Sequence, residues 1–527
     1  MKKKLIIRII ATILFALILF YVTIPAINLQ DIGFWMYLLM ITIFYKITGV
    51  INITDIILNR KRIDIKGYKL YVVIGIIFLI IIGINIFVSP VFDAKGYSKR
   101  ITIDETTNFV DDVAEVNFNS LPLLDKASSQ KLGDRVMGQM PELVSQFIVS
   151  DLYTQINYKS DIVRVTPLEY ASVIKYFTNR NEGVKGYISV NSVTGESTLT
   201  KLDKGMRYMP SALFNERLER KLRFLYPTEI FDEINFEIDN EGNPYWIVPT
   251  VKYKGISVRK EINGIIIFDP ITGKSKKYSI DKVPNWVDHV YSANLILEQV
   301  KDWGMYKTGF VNSIIGQKGV VMPTDGYNYT VMNDDVYLYT GITSVATDES
   351  NIGFILCNMR TKETHFYAVP GAEEYSAMAS AEGQVQQMKY VASFPLLINL
   401  NNRPTYLISL KDNAGLVKMY AFVDVTDYQK VVVTDSSLGI EKAADNYLNN
   451  VVYENSNDLK EKNIIIKSIN NAIIDGNTNY YIIDNDNQKY RASINIASDK
   501  LPFLNIGDEI TISYVAETEV IEIKNIK

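Results

Sequence analysis

Apolar and polar positions follow distinct patterns along the chain. Three nearly uninterrupted apolar runs, at residues 9–26, 34–53 and 70–88, open it. Each is close to the ~20 residues that cross the ~30 Å hydrocarbon layer of a membrane as a helix. Beyond residue 90, segments with helical periodicity are followed by runs of alternating apolar and polar residues, which are typical of half-buried strands. The pattern predicts an α+β chain in which three N-terminal transmembrane helices precede repeated modules of one helix and an antiparallel sheet.

The strand runs share one kind of hairpin turn. Residues 263–280 read NGIIIFDPITGKSKKYSI, which is an apolar strand, a turn rich in Asp, Pro, Thr and Gly, and a polar return strand. Similar hairpins begin at Gly186 and Ile352. Their turn threonines, which lie 78 and 89 residues apart, are Thr194, Thr272 and Thr361. A period of about 80 residues is too long for a solenoid repeat and suits a small α+β module.

These patterns divide the chain into seven segments: a membrane domain with three transmembrane helices at 1–90, a stalk at 91–119, α+β modules at 120–205, 206–283, 284–370 and 371–452, and a small all-β barrel at 453–527. Amphipathic helices are predicted at 214–226 and 284–303, the second with a proline at its start and a glycine just past its end. In the tail, LPFLNIGDEITISY resembles the turn that enters a late strand of an OB-fold-like barrel. Such barrels bind oligonucleotides, oligosaccharides or proteins, of which the first are not expected outside a membrane, and a purely structural cap is the preferred interpretation.

The order of helix and hairpin, with a V-D-x-x-T-G-[EK] type of turn, resembles the PepSY (peptidase propeptide) domain and the wider cystatin-like group. The matching residues are Val193, Thr194, Gly195 and Glu196 in one module and Asp269, Thr272, Gly273 and Lys274 in the next. The third turn departs from the pattern because Lys362 follows Thr361 where the others have glycine. The resemblance covers residues 120–433, and the ectodomain as a whole is similar to uncharacterised bacterial membrane proteins. It implies a non-catalytic module that binds and restrains or chaperones an enzyme outside the membrane, often a peptidase or a wall hydrolase.

The basic residues indicate which side of the membrane each part faces. The link 26–33 carries no Lys or Arg, whereas basic residues precede the first apolar run and separate the second from the third: Lys2, Lys3, Lys4, Arg8, Arg60, Lys61, Arg62, Lys66 and Lys69. The positive-inside rule then puts the N-terminus in the cytoplasm and everything after Pro90 outside it. A cleavable signal peptide is the alternative for the first run, but no A-x-A-like site follows it. Lys46, inside the second run, is expected to snorkel towards the cytoplasm.

Composition narrows the compartment and the partners. One cysteine in 527 residues forbids an internal disulfide, which fits a bacterial envelope better than a eukaryotic secretory route. With two histidines and one cysteine, a Cys/His zinc site lacks ligands. The net charge is -4 and no basic patch is interleaved with aromatic residues, so nucleic acid is not expected as a partner.

Three short motifs occur in the order of a penicillin-binding enzyme. They are S-x-x-K, S-x-N and K-T-G, carried by Ser128 and Lys131, Ser189 and Asn191, and Lys307, Thr308 and Gly309. In that chemistry the first serine is acylated and the other two motifs line the cleft. The contexts argue against it, since Ser189 falls within a predicted hairpin strand and the K-T-G motif follows a helix with no preceding strand.

The remaining candidate residues favour structural roles. His289 and Asp288 fall on the predicted helix 284–303 with no nucleophile beside them. DNDNQ from Asp484 has alternating oxygen ligands, but position twelve of a calcium loop would be Asn495 rather than Glu, which favours a hairpin turn. Cys357 is expected to be a small buried hydrophobe, and the default role for three large aromatic residues is the core: Trp246, Trp286 and Trp303.

The sequence therefore predicts a protein of the bacterial cytoplasmic membrane that is not an enzyme and has no catalytic, cofactor-binding or metal-binding residues. Its expected partners are the lipid bilayer and an envelope protein or cell-wall polymer, with a peptidase or wall hydrolase as the regulated or scaffolded protein. A structural envelope or cell-shape component is the first alternative. A penicillin-binding type of acyl enzyme is the second.

Overall fold

The N-terminal part of the chain is helical. A computed structural model describes residues 2–50, 68–332, 334–345, 347–453, 460–474, 477–497, 500–514 and 520–526. Four helices come first: α1 (Lys2–Thr23), α2 (Ile32–Val50), α3 (Tyr68–Phe87) and α4 (Pro90–Ser98). The predicted basic cluster at Arg60, Lys61, Arg62 and Lys66 lies outside the described residues.

The prediction of three independent membrane-spanning helices needs correction. Among the described residues, only the segment Leu5–Thr23 of α1 is by itself both long enough and apolar enough to cross a membrane. The apolar part of α2, Ile32–Thr48, is shorter. The apolar part of α3, Val72–Phe87, reaches that length only together with α4, from which it is bent by 50°. The break comes at Ser89-Pro90, because proline starts a new helix and cannot continue the old one. A sequence window over apolar residues does not register such a bend.

Beyond residue 100 the chain is a mixed α+β structure built on antiparallel sheets. The helices are α5 (Phe109–Asp112), α6 (Lys126–Gly138), α7 (Pro141–Val144), α8 (Val173–Asn179), α9 (Leu218–Leu225), α10 (Ala293–Tyr306), α11 (Glu374–Gln384) and α12 (Ile440–Tyr447). The first sheet contains β1 (Phe147–Val149), β2 (Thr154–Tyr158), β3 (Asp161–Tyr170), β4 (Val184–Asn191) and β5 (Ser197–Met206). The second contains β6 (Ile230–Phe231), β7 (Asn235–Ile238), β8 (Pro244–Lys254), β9 (Arg259–Phe268) and β10 (Ser275–Tyr278). The third contains β11 (Val321–Pro323), β12 (Asn328–Met332), β13 (Asp335–Ser344), β14 (Thr347–Asn358) and β15 (Thr364–Tyr367).

Two compact units divide the chain, and the sheets above belong to the first of them, residues 1–112 and 119–369. The second unit, residues 113–118 and 370–527, begins with β16 (Gly371–Ala372). Its first sheet contains β17 (Val391–Ala392), β18 (Leu396–Leu400), β19 (Arg403–Lys411), β20 (Val417–Asp424) and β21 (Val431–Asp435). The last sheet contains β22 (Lys460–Ile474), β23 (Asn477–Asp484), β24 (Lys489–Ser493), β25 (Glu509–Tyr514), β26 (Val520–Glu522) and β27 (Asn525–Ile526).

Four of the sheets have the same strand order. In each, two short strands pair with the same edge of a long third strand, a fourth strand pairs with its other edge, and a fifth strand pairs with the fourth. The resulting orders are β1-β3-β4-β5, β6-β8-β9-β10, β11-β13-β14-β15 and β17-β19-β20-β21. The second short strand, for example β2, pairs with the same long strand. A helix precedes each sheet in the chain.

The C-terminal sheet is not a closed barrel. Its order, β26-β24-β23-β22-β25-β27, has two free ends among the described strands. The fifteen-residue strand β22 pairs through its first half with β25 and through its second half with β23. One long strand therefore connects the two halves, and the predicted OB-like closure is absent from this part of the chain.

The shared hairpin turns use one hydrogen-bond pattern. In the second sheet, the N–H of Gly273 donates to the carbonyl oxygen of Asp269 (2.9 Å), and the side chain of Asp269 accepts from the N–H of Thr272 (3.1 Å). Asn191 and Asn358 make the equivalent bonds in their own turns. Glycine is left-handed in the first two turns (φ 76° and 73°), and Lys362 takes the same conformation in the third (φ 64°). The third turn therefore keeps the conformation of the other two, although lysine replaces glycine.

Both faces of the second sheet are buried. Trp246, Val248, Ile266 and Phe268 belong to a core that also contains residues of the first sheet, whereas Ile247, Ile265 and Ile267 belong to a core shared with α10 and the third sheet. Successive strand residues point to opposite faces, so the run IIIF fills two cores at once. This explains why the apolar stretch is uninterrupted rather than alternating.

Candidate functional site

A cluster of polar side chains, all buried except the half-buried Asn157, lies where elements of the first three sheets meet. Its members are Gln155 and Asn157 on β2, Arg164 on β3, Glu237 on β7, and Asp288 and His289 in the segment before α10. We call this the polar junction. Burying so many polar groups costs free energy unless each finds a partner, so their contacts define what the cluster does.

Residues 284–292 are not helical, contrary to the prediction for 284–303. Ser292 caps α10, its side chain accepting a hydrogen bond from the N–H of Leu295 (3.4 Å). The preceding N–H groups leave the helical pattern because they bond to other elements. Those of Val290 and Tyr291 donate to the carbonyl oxygen of Met359 (3.1 and 3.0 Å).

Glu237 holds this segment from the neighbouring sheet. Its carboxylate accepts hydrogen bonds from the backbone N–H of Asp288 (2.9 Å) and of His289 (3.0 Å). The carboxylate of Asp288 in turn accepts from the backbone N–H of Asn157 (2.7 Å). The side-chain amide of Asn157 donates to the carbonyl oxygen of Asp334 (3.0 Å). Two acids thus bind backbone N–H groups of other elements, and a chain of hydrogen bonds links the second, third and first sheets.

His289 closes the junction on the first sheet. Its Nε2 lies 2.6 Å from the carbonyl oxygen of Gln155, and its ring meets that of Tyr329 edge to face at 5.6 Å. Burial lowers the pKa of His289 to about 4, so the ring is neutral near pH 7. A neutral ring that bonds a carbonyl oxygen carries its proton on Nε2 and donates it.

Burial shifts the two acids in the opposite direction. The pKa of Glu237 is raised to about 7 by loss of solvation, which its two backbone N–H bonds only partly offset. The pKa of Asp288 is also raised, first by burial and then by the negative charge of Glu237. Acids with shifted pKa values beside a histidine are typical of active sites, but networks of hydrogen bonds with a purely structural role shift pKa values as well. Here both acids accept bonds from backbone N–H groups, and we therefore interpret the cluster as a joint between sheets.

Arg164 lies at the edge of the junction, where the negative charge of Asp125 acts on its guanidinium. It is opposite Gln155 in the β2–β3 register, so the two side chains share a face of the first sheet. Among the described residues, the Nε of Arg164 and both amide atoms of Gln155 are buried without a hydrogen-bond partner. Burial lowers the pKa of Arg164 to about 10, and it remains charged near neutral pH.

A second set of contacts fixes the second sheet to the ends of the N-terminal helices. Arg220 of α9 donates to the carbonyl oxygen of Tyr21 (3.1 Å), and Arg223 donates to that of Ile24 (3.0 Å). Both arginines are buried, and together they satisfy carbonyl groups that the last turn of a helix leaves unpaired.

The β8–β9 turn completes this attachment. The N–H of Ser257 donates to the carbonyl oxygen of Gln30 (2.9 Å), and Ile256 exchanges two hydrogen bonds with the side chain of Asn85 near the end of α3 (2.9 and 3.1 Å). The C-terminal ends of α1 and α3 and the link before α2 therefore meet the second sheet together. We call these contacts the helix-end platform.

The predicted stalk is packed in this structure. The side chain of Arg100 is buried and binds Glu261 (3.1 Å), Glu298 (2.7 Å) and Asp302. Residue 104 bonds the backbone of β15, its N–H donating to the carbonyl oxygen of Thr364 (2.9 Å). The chain after α4 is thereby fixed to α10 and the third sheet.

The three penicillin-binding motifs fall on separate elements. Ser128 is in the first turn of α6, where Asp125 caps the helix through the N–H of Ser128 (2.9 Å). Ser189 lies within β4 and bonds Thr198 on β5 (3.1 Å). Lys307 follows α10, with its ammonium 4.5 Å from the ring centroid of Trp303. One residue of each motif is thus engaged with its own local structure.

The other singled-out residues are also built into the fold. Cys357 is fully buried, and its thiol accepts from the hydroxyl of Thr364 (3.1 Å). The carboxylate of Asp484 binds Lys462 (3.2 Å) and the hydroxyl of Tyr490 (2.8 Å) beside a hairpin turn. Trp246 and Trp303 are buried, and Trp286 packs on Tyr245 at 5.3 Å. Among the described residues, no group of three or more His, Cys, Asp and Glu side chains is arranged to hold a metal ion.

The sequence patterns did not predict the polar junction, although two of its charged residues interrupt apolar runs. Arg164 interrupts the apolar run DIVRVTPL, and Glu237 stands between Phe236 and Ile238. A charged residue inside a buried strand requires a partner or a special environment. The partners of Glu237 are N–H groups 51 and 52 residues further along the chain, which no local pattern identifies.

Comparisons with known proteins do not identify the chain. No protein-family model and no curated protein sequence matches it. Two solved structures of Trypanosoma rangeli sialidase, one in complex with a difluorinated KDN derivative, align over 72% of this chain with 10% identity and a TM-score of 0.16. The chain spans about half the length of these sialidases, 53% and 54%. At that TM-score the likeness carries no argument about fold or activity.

Proposed function

We propose that the protein is anchored in the bacterial cytoplasmic membrane by α1, and that its sheets form an extracytoplasmic, non-enzymatic platform that binds and regulates or scaffolds an envelope partner. A peptidase or wall hydrolase is the kind of partner that the PepSY-like turns favour. The observation that carries the proposal is the helix-end platform, because it ties α9 and the β8–β9 turn of the second sheet to the chain just past an apolar helix long enough to cross the membrane.

The polar junction supports a non-catalytic role. Its acids accept bonds from backbone N–H groups, and its histidine stays neutral across the physiological range. Such a network makes the first three sheets a stiff body, which suits a protein that presents a surface rather than performs a reaction.

The edge of the first sheet offers a docking strand. β5 ends the strand order and, at ten residues, is the longest such edge among the described strands. An extended segment of a partner can add to such an edge, with main-chain hydrogen bonds supplying affinity. Its charged residues, including Lys201, Asp203 and Lys204, keep the free edge from pairing indiscriminately.

Proline substitution tests this edge. Successive residues of a strand direct their N–H groups to opposite sides, so one of Thr200 and Lys201 donates to β4 and the other points outward. Of Thr200→Pro and Lys201→Pro, the variant that keeps the wild-type melting curve is the one in which proline replaces the residue whose N–H points away from β4. It should lose the partner captured by the wild-type full-length protein from detergent-solubilised membranes. Capture of a peptidase or hydrolase whose activity changes on binding supports regulation, and equal capture by both proteins contradicts docking at β5.

Protease treatment of intact cells tests the placement. The sheets should be digested while the N-terminus is protected, and a protected set of sheets would overturn it. The platform has its own test in Arg220→Gln, which leaves the carbonyl of Tyr21 unpaired and should cost about 1–3 kcal/mol locally. Faster hydrogen exchange in residues 218–226, the segment that carries Arg220, would report that loss, and the exposed Arg217→Gln is the matched control.

A further inference from the structure

Aromatic and aliphatic side chains form an exposed patch beside the C-terminal end of α1. The patch comprises Val173, Ile174, Phe177, Phe214 and Phe224, which are between 50% and 71% exposed. They come from α8, the turn before α9, and α9 itself. Single exposed apolar residues are ordinary, but five on neighbouring elements mark a contact surface.

Ring contacts show that the patch is continuous with α1. Phe224 lies 6.0 Å from Phe20 and 6.4 Å from Tyr21, measured between ring centroids. Phe214 lies 6.1 Å from Phe177. The residue after Phe214 accepts a hydrogen bond from the hydroxyl of Tyr21 (3.3 Å). The patch therefore begins where the apolar helix ends.

The helix 214–226 was predicted to bury one stripe of apolar residues. Leu218 and Leu222 are indeed buried, but Phe214 and Leu225 at the two ends of the stripe are exposed. The side chains of Phe214 and Leu225 are thus not covered by the rest of the protein, and their apolar surface is available for contact with lipid or with another molecule.

Basic residues neighbour the patch residues in the chain. They are Lys175 and Arg180 around α8, and Arg217 and Lys221 around α9. Of the acids in these segments, Glu219 pairs with Arg217 (3.0 Å), and Glu216 is buried against Arg207 (2.6 Å) and the hydroxyl of Tyr176 (2.8 Å). Aromatic and aliphatic side chains framed by Lys and Arg are the composition of surfaces that lie in the membrane interface.

We infer that this patch rests in the outer headgroup layer of an anionic membrane and orients the first sheet against the lipid surface. Its occupant is lipid rather than a second protein because the patch continues the surface of α1 at the level where that helix leaves the bilayer. This inference rests on the proposed anchoring by α1.

Fluorescence quenching by lipid in the full-length protein tests it. The protein is reconstituted into vesicles of phosphatidylethanolamine and phosphatidylglycerol, and an environment-sensitive dye is attached to a cysteine introduced by Ile174→Cys. The native Cys357 is fully buried and burial raises its thiol pKa to about 12, so it does not compete for the label. Quenchers are carried on the lipid headgroup region or deep in the acyl chain.

Two control positions separate the possible outcomes. Glu196→Cys is exposed in the turn that follows β4, and β4 itself spans about 23 Å from its end nearer α8, at ~3.3 Å for each of seven steps. Leu14→Cys lies in the middle of α1 and should be quenched from the acyl chain if that helix crosses the membrane. We expect headgroup quenching at Ile174→Cys about twofold or more above that at Glu196→Cys. Adding Phe177→Glu should remove the difference while the melting curve stays the same.

Each result is decisive. Quenching of the Leu14 label with equal, weak quenching of the Ile174 and Glu196 labels overturns the inference and leaves the anchoring in place. A dye at Ile174 that is shielded from water but not quenched by lipid shows a protein contact and also overturns it. Absence of acyl-chain quenching at Leu14 overturns the anchoring and the inference with it.

Discussion

Glu237 and His289 should make the stability of the polar junction depend on pH in opposite directions. Substitution of either residue should therefore reveal the pH dependence that the other one causes. The pKa of Glu237 is raised from 4.5 to about 7 in the folded protein. Between these values the folded state holds a proton that the open state has lost, so stability falls as pH rises. The pKa of His289 is lowered from 6.5 to about 4. Between those values the open state binds the proton, so stability rises with pH.

The two effects overlap between pH 4.5 and 6.5 and nearly cancel there. Each is worth about 1.4 kcal/mol per pH unit, the linkage slope for one proton. Glu237→Gln should therefore make the slope more positive than that of the wild type by this amount, about 3 kcal/mol over the window. His289→Asn should make it more negative by a similar amount. Asp288, whose pKa is also raised, adds a falling contribution in all three proteins. This contribution shrinks without the charge of Glu237, which makes the slope of Glu237→Gln still more positive.

Hydrogen exchange of the peptide 284–292, corrected for the pH dependence of intrinsic exchange, measures the local opening free energy. This peptide contains the N–H groups that Glu237 binds. Glu241→Gln, at an exposed position in the turn after β7, is the control and should leave the slope unchanged. Parallel curves for Glu237→Gln and wild type would refute the reasoning, because they would mean that the carboxylate is as solvated in the folded protein as in the open one.

The hairpin turns and a partly buried ion pair give two further expectations. Gly273→Ala should cost more than Gly195→Ala: both glycines are left-handed, which costs about 1–2 kcal/mol for alanine, but only at Gly273 would the new Cβ meet a ring, that of Tyr208 at 2.5 Å. Equal unfolding free energies in urea would contradict this packing. Asp335→Ala removes the carboxylate that binds the guanidinium of Arg360, whose side chain is 20% exposed, through three contacts of 2.6–2.9 Å, and should cost about 1–3 kcal/mol. A loss below about 1 kcal/mol in the same assay would show that this ion pair is solvated.

Local signals in the sequence predicted much of the fold. The hairpin turns follow from Asn or Asp at the first position, whose side chain bonds N–H groups two and three residues ahead. The α+β class and the antiparallel sheets follow from alternation and helical periodicity. They are correct because each depends on residues within one turn or one strand.

The errors arose where distant contacts outweigh local preference. The helix predicted from residue 284 begins at Ala293, because the N–H groups of residues 288–291 bond to Glu237 and Met359 instead. The apolar run in β22 gave no indication that one strand joins two half-sheets and leaves the barrel open. In both cases the deciding partner is remote in sequence.

The sequence by itself determined the apolar helix, the strands and the chemistry of their turns, since these rest on propensities and spacing along the chain. Tertiary structure decided which charged residues became buried, which faces of the second sheet were covered, and where α9 meets α1. Arg164, Glu237 and Arg220 illustrate the difference: each is an ordinary charged residue in the sequence, and its role depends on groups brought to it by folding. A buried charge is stable only with the partners supplied by that environment, and the environment is a property of the whole packed unit.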